Sequence, residues 1–229
     1  MFESFARARV AAAIVALFTT SVAAAGPLDT LQPGQWYDAP NTHMSAVFPA
    51  NPPPGAWGPG AVIGAWGGGV YDTKRDRLTL WGGGHTDYSG NEVYVFDVNS
   101  MQWSRITDPS SNVSGTDSSG VYPDGLPRSA HTYNTVTYAD NVDRMFLMAP
   151  AGVYSSGQEV LNAFAFDLTS NQWSSLTPVP NVGATTGGIP TYDSTTGLIW
   201  YHGSGASWAT SRLVSYNTSS MCLAMLMSG

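Results

Sequence analysis

The chain has 229 residues and a formal net charge of −7, with 9 Lys and Arg against 16 Asp and Glu, so nucleic acid is excluded as an expected partner because phosphate contacts need clustered basic side chains. A single cysteine, Cys222, rules out an internal disulfide framework. With 25 Gly, 15 Pro, 8 Trp and 11 Tyr but only 11% charged residues, the composition favours many short strands joined by turns over helices.

Residues 1–25 open with MFESFARAR, carrying Arg7 and Arg9, continue as an apolar run from Val10, and end in Ala23-Ala24-Ala25 before Gly26. This order predicts a secretory signal peptide removed before Gly26 and a mature chain that is secreted or periplasmic. The apolar run is short for a bilayer, and no later segment is long or apolar enough to span one. Residues 26–60 are rich in proline, including Pro52-Pro53-Pro54, and are expected to give at most a partial blade. Trp36, Trp57 and Trp66 suit either a sugar-stacking platform or a packed core.

From residue 61 onward the chain repeats. VYVFDVNSMQW (93–103) matches AFAFDLTSNQW (163–173), so Phe96, Asp97, Ser100, Gln102 and Trp103 recur as Phe166, Asp167, Ser170, Gln172 and Trp173. LVSYNTSSMCL (213–223) is a weaker third copy, with Tyr216, Asn217 and Ser220 in register and Leu223 at the tryptophan position. Upstream of each copy a β-rich run reaches Tyr71-Asp72, Tyr138-Ala139-Asp140 or Tyr192-Asp193, turns through polar residues, and resumes as a second apolar run closed by small residues. Each unit therefore reads as four antiparallel strands, with Val93–Phe96 a clear alternating third strand.

Four-stranded units recurring at this interval predict an all-β fold of propeller blades. The glycine pair Gly83-Gly84, the aromatic Tyr94, Trp103, and Pro127-Arg128-Ser129-Ala130-His131 resemble kelch repeats, in particular bacterial exported kelch proteins similar to the galactose oxidase central domain. The resemblance implies a kelch-like β-propeller in which Gly83, Gly84, Tyr94, Asp97, Trp103, Asp167 and Trp173 are structural repeat positions. Ala149-Pro150-Ala151-Gly152 in the second unit and Leu223 in the third depart from the pattern. Propellers close with about four to eight blades. The expectation here is an incomplete one: blades over 61–223, an aberrant or truncated tail at 224–229, and possible association with a partner to complete the ring.

The chemistry-bearing stretch is WGGGHTDYSGNEV (81–93). A phosphate-cradle reading fails, since no Gly-Lys-Ser/Thr and no helix follow. His85 and Asp87 are possible metal ligands only if His43, His131 or His202 converge on them, and no tight ligand spacing occurs, so neither metal nor cofactor is expected. The glycines are read as turn formers. His85, Asp87, Tyr88 and Asn91 then either tie the loop together or line a rim with Arg128, His131 and Tyr133.

The resemblance also implies possible enzymes. A galactose-oxidase-like copper oxidase would need a Tyr crosslinked to Cys, yet Cys222 lies in the tail and Tyr201-His202 at a strand end. A lyase or epimerase on acidic sugars would use a His or Tyr base with an Arg, for which His85, Tyr88, Arg128, His131 and Tyr133 are the right types. The preferred expectation is a secreted module that binds a glycan or an extracellular protein. Asn112-Val113-Ser114 and Asn217-Thr218-Ser219 are sequons that matter only in a glycosylating host.

Overall fold

The computed structural model describes residues 26, 28–40, 42–114, 119–180, 188–203 and 213–226, with the side chains of 223–226 left aside. The segment read as a signal peptide lies outside the described residues. The chain divides into two units, 1–38 and 39–229. The described part of the first consists of turns, such as Asp29 N–H donating to the Gly26 carbonyl, and carries Trp36 in an exposed position.

The second unit is all-β, a propeller-like series of three antiparallel four-stranded sheets. The first sheet holds β1 (Gly68–Asp72), β2 (Arg77–Trp81), β3 (Tyr94–Asp97) and β4 (Gln102–Arg105). The second holds β5 (Val136–Ala139), β6 (Arg144–Met148), β7 (Ala163–Asp167) and β8 (Gln172–Leu176). The third holds β9 (Ile189–Asp193), β10 (Leu198–His202), β11 (Leu213–Asn217) and β12 (Cys222–Leu226). Within each sheet the strands meander in sequence order, and β1, β5 and β9 lie side by side.

The sequence repeat becomes a repeat of register. Phe96 pairs with Trp103, Phe166 with Trp173 and Tyr216 with Leu223. The first two pairs bring their rings to 5.1 and 5.0 Å, the separation at which cross-strand aromatics stabilise a ladder. The turn between third and fourth strands is capped alike each time: Asp97 accepts from Ser100 N–H at 2.7 Å, Asp167 from Ser170 N–H at 2.8 Å, and Asn217 from Ser220 N–H at 2.9 Å. The short Asx side chain does this because it reaches its own backbone two or three residues on.

Alternation along the strands divides the side chains between successive cores. Val70, Trp81 and Val93 meet Met145, Leu147, Phe164 and Phe166 between the first and second sheets. Phe146, Met148, Ala163 and Ala165 meet Ile199, Tyr201, Val214 and Tyr216 between the second and third. Trp81 spans the first junction, edge-on to Trp173 at 5.7 Å, while its indole N–H donates to the Asn91 carbonyl. Each fully buried large side chain contributes about 1.5 to 3 kcal/mol.

Two expectations are corrected. No described residue of 26–60 forms a strand. Its prolines lack the N–H a ladder needs, and it instead folds into tight helical turns at Met44–Val47 and Gly58–Gly60, followed by the single helical turn α1 (Ala61–Gly64). Met44, Ala61, Val62 and Ala65 cover Leu80, Tyr88 and Tyr94, so this segment closes the face of the first sheet that no preceding sheet covers. Trp103 Nε1 adds a hydrogen bond to the Thr42 carbonyl at 2.9 Å. The second correction concerns the tail: β12 runs through Leu226, so the boundary at 223 falls inside a paired strand, with a register shift opposite Ser215 and Tyr216. Backbone pairing continues there without the tryptophan.

On the rim formed by the first-to-second and third-to-fourth strand turns, Arg75 ties the first sheet to the second. It donates to Asp72 Oδ2 at 2.9 Å, to Asp143 at 2.9 and 2.5 Å, and to Thr169 Oγ1 at 3.1 Å. These bonds from Arg75, with further ones from Thr169 and Tyr138, hold the Asp143 carboxyl below the usual carboxylate range. Burial alone would raise Asp72, but Arg75 and Arg77 bring it below its ordinary value.

Both folded-state values are depressed, so this stabilisation is complete above the unfolded carboxylate pKa of about 3.9 and is lost as pH falls through and below it. Thermal melts should therefore fall between about pH 5 and pH 2. Asp143→Asn should cost about 1 to 3 kcal/mol at neutral pH and flatten part of that acid dependence. An unchanged pH profile in the variant would count against the latch.

Candidate functional site

The opposite rim is built from the loop between β2 and β3 (82–93), the long connection between β4 and β5 (106–135), the loop between β6 and β7 (149–162), and the approach to β1. They meet at Gly84. Its φ is +73°, and a Cβ there would lie 2.5 Å from the Ala130 carbonyl carbon, the His131 nitrogen and the Gly152 oxygen. Gly83, at φ +118°, would place a Cβ 2.6 Å from Ser129 Oγ. Ser129 accepts from Gly84 N–H at 2.8 Å, and its hydroxyl lies 2.9 Å from both the Gly82 and Tyr88 carbonyls. The next residue is clasped on both sides, His85 N–H to the Gly152 carbonyl and Ser155 N–H to the His85 carbonyl, each at 2.6 Å.

This folding brings together four of the seven side chains expected at a rim. His131 Nε2 and Asp87 Oδ2 are 2.9 Å apart, with both residues buried. The His131 ring centroid is 5.8 Å from that of exposed His85 and 5.7 Å from that of half-buried Tyr133, both nearly perpendicular. Trp66 completes the cluster at 4.8 Å from His131 and 6.4 Å from Tyr133. Trp66 is 57% exposed, so its ring offers one side to solvent while the other rests on the imidazole.

Three of these residues occupy left-handed backbone that non-glycine residues seldom adopt: Trp66 at φ +47°, His85 at +44° and Tyr133 at +44°. Such conformations cost on the order of 1 to 3 kcal/mol each and persist only where surrounding contacts impose them. The contacts are visible: Tyr133 N–H donates to the Trp66 carbonyl at 2.8 Å, and Trp57 N–H donates to the Asp87 carbonyl at 2.9 Å. Trp57, itself 62% exposed, is thus tied to the same loop.

The other three expected residues are interior. Asn91 donates to Ser110 Oγ and the Pro127 carbonyl and accepts from Ser110 N–H, pinning the 106–135 connection. Tyr88 and Tyr94 both donate to Glu92 Oε1, at 2.7 and 2.6 Å, inside the first sheet's core. Burial, followed by the Glu92 charge, pushes both phenols far above their ordinary range, so they remain donors at every physiological pH. Arg128 is 1% exposed, lies over the Tyr122 ring at 4.7 Å and donates to the Val121 carbonyl. It braces the connection.

The chemistry available follows from access. His131 is 4% exposed; Asp87 occupies Nε2, and Nδ1 faces Gly152 so closely that a Cβ on that glycine would lie 2.6 Å away. Both ring nitrogens are thus occupied or closely covered, the imidazole packs against Trp66, and His85 is the exposed imidazole of the cluster. Among the described residues no three His, Cys, Asp or Glu side chains gather to hold a metal ion. His43 stands at the start of the first helical turn and His202 ends β10. Cys222 is a free thiol across from Asn217, whereas Tyr201 stands across from Val214 towards the other end of β11, so Tyr201 is not paired with Cys222.

Trp66 and the glycines that receive the imidazoles, Gly152 and Gly157, were not among the site residues expected from sequence. Trp66 was legible only as one of several tryptophans, and its contact with His131 depends on the bond from Tyr133 N–H to its carbonyl, between residues far apart in sequence.

Replacing Gly84 with Val should destabilise the protein by more than the 1 to 2 kcal/mol of left-handed strain alone, because the added carbon also meets backbone from two other loops. A Gly84→Val melting temperature equal to the parent's would contradict this packing. No protein-family model matches the chain, and no curated protein matches it significantly, so the reading of the rim stands on its geometry.

Proposed function

We propose that this chain is an exported kelch-type propeller module that binds a glycan on the rim formed by Trp66, His85 and Tyr133. The observation that carries the reading is the Trp66 ring, 57% exposed and seated on His131 at 4.8 Å. An exposed indole fixed in this way presents an apolar face to sugar C–H groups, and its hydrogen-bonding neighbours supply orientation. The kelch-type assignment is supported by the Gly83-Gly84 pair with φ > 0, the buried aromatic Tyr94, and the Phe–Trp pairs at matching registers. Export is supported by the character of residues 1–25; among the described residues no helix is long and apolar enough to cross a membrane.

A lyase or epimerase acting on acidic sugars is the competing reading. It is less well supported, because His131 has no open nitrogen and Arg128 is interior. His85 is the one exposed imidazole of the cluster that such chemistry would have to use.

A panel of neutral and acidic oligosaccharides, screened by array and followed by calorimetric titration, tests the proposal. Trp66→Ala should weaken the best ligand by about tenfold or more, equivalent to about 1.4 kcal/mol, with little change in melting temperature. Unaltered affinity in that variant, or no saturable ligand in the panel, would overturn the binding reading. Conversion of an acidic sugar to product, abolished by His85→Ala, would favour the enzyme.

A further inference from the structure

A second site is indicated where the first strands of the three sheets lie side by side. There a groove of about 410 Å3 is lined by Tyr71, Tyr138 and Tyr192, with Thr137, Ser194 and Asp140 between them. The tyrosines occupy the same position of the repeat: each stands across from the second residue of the next strand, Leu78, Met145 and Ile199 respectively. The groove uses none of the residues of the Trp66 rim, so it does not depend on that reading.

Two features give its chemistry. The phenol of Tyr71 donates to Asp76 Oδ1 at 3.2 Å, and that of Tyr138 to Asp143 Oδ1 at 2.9 Å. Donation to a carboxylate draws negative charge onto the ring, and a more negative face attracts cations more strongly. Asp143 is offset by Arg75, but neither Asp76 nor Asp140 takes part in an ion pair among the described residues. Asp140 lies beside Tyr192, whose phenol is raised first by burial and then by that carboxylate. The lining thus combines aromatic faces, hydroxyls and the Asp140 carboxylate, with no cationic side chain on it.

We propose that this groove binds an amine-bearing sugar. Its ammonium group sits at Asp140, its ring face lies against Tyr71, which is 46% exposed, and its hydroxyls meet Thr137 and Ser194. A volume of this size accepts one or two sugar rings.

Calorimetric or NMR titration of the whole chain with glucosamine and with glucose tests this directly. Glucosamine should saturate, and glucose should bind about tenfold more weakly or worse, as expected for a lost charge-assisted contact. Asp140→Asn, an exposed turn substitution, should weaken glucosamine about tenfold and leave glucose unchanged. Tyr71→Ala should weaken glucosamine, and Trp66→Ala should have no effect on it. Equal affinities for the two sugars, no saturable binding of glucosamine, or a loss on Trp66→Ala without one on Asp140→Asn would each overturn the proposal.

Discussion

The absence of a side chain at Gly84 is the constraint on which the rim depends. Backbone from the 106–135 connection and from the 149–162 loop lies 2.5 Å from where a Cβ on this residue would stand, leaving no room for one. That approach lets one hydroxyl, on Ser129, gather three backbone groups of the β2–β3 loop. It also places His85 between the Gly152 carbonyl and the Ser155 N–H. The left-handed backbone at His85 is held by these contacts and that at Trp66 and Tyr133 by the Tyr133 N–H to Trp66 carbonyl bond, since local preference would relax each residue to negative φ.

The two rims solve the problem of joining successive sheets with different chemistry. On one, Arg75 spans the first junction through carboxylates and a hydroxyl, and Asn141 spans the second through Thr218 at 2.9 Å. Arg75, Asp72, Asp143, Asn141 and Thr218 are engaged in these junctions. On the other, main-chain groups do most of the joining, and several aromatic side chains are left facing outward. A rim locked by its backbone can present side chains without loosening the fold, which is why loops of this kind carry ligand sites on rigid scaffolds.

How much of this was legible in the sequence depended on the range of the contacts involved. The sheets were legible because the Phe–Trp spacing and the Asx-led turns are local, and Leu223 falls into register opposite Tyr216 even without the tryptophan. Gly83 and Gly84 were legible as turn formers. The N-terminal segment, expected to give at most a partial blade, folds instead as a cover because its partners lie far along the chain: Met44 packs with Tyr88 and Tyr94. Within the rim, residue type could not separate Asn91, Tyr88 and Arg128, which are interior, from His85 and Tyr133, which are not. All are polar or aromatic residues in loops, and only the three-dimensional closure of those loops decides which way each one faces.

The His131–Asp87 pair shows how that closure changes the meaning of a motif. A histidine held by a carboxylate is the arrangement of many general bases, but a base needs its second nitrogen free. Here that nitrogen lies against Gly152, and three aromatic rings, those of Trp66, His85 and Tyr133, surround the imidazole. The Asp87 bond therefore fixes the imidazole as a rigid floor beneath Trp66. Under the proposed glycan-binding reading, a ring fixed in this way would lose less rotamer freedom on binding, since rotamer-rich side chains lose about 0.5 to 1.5 kcal/mol each when immobilised. The buried His131–Asp87 hydrogen bond and the strained backbone together fix the orientation of the exposed Trp66 ring.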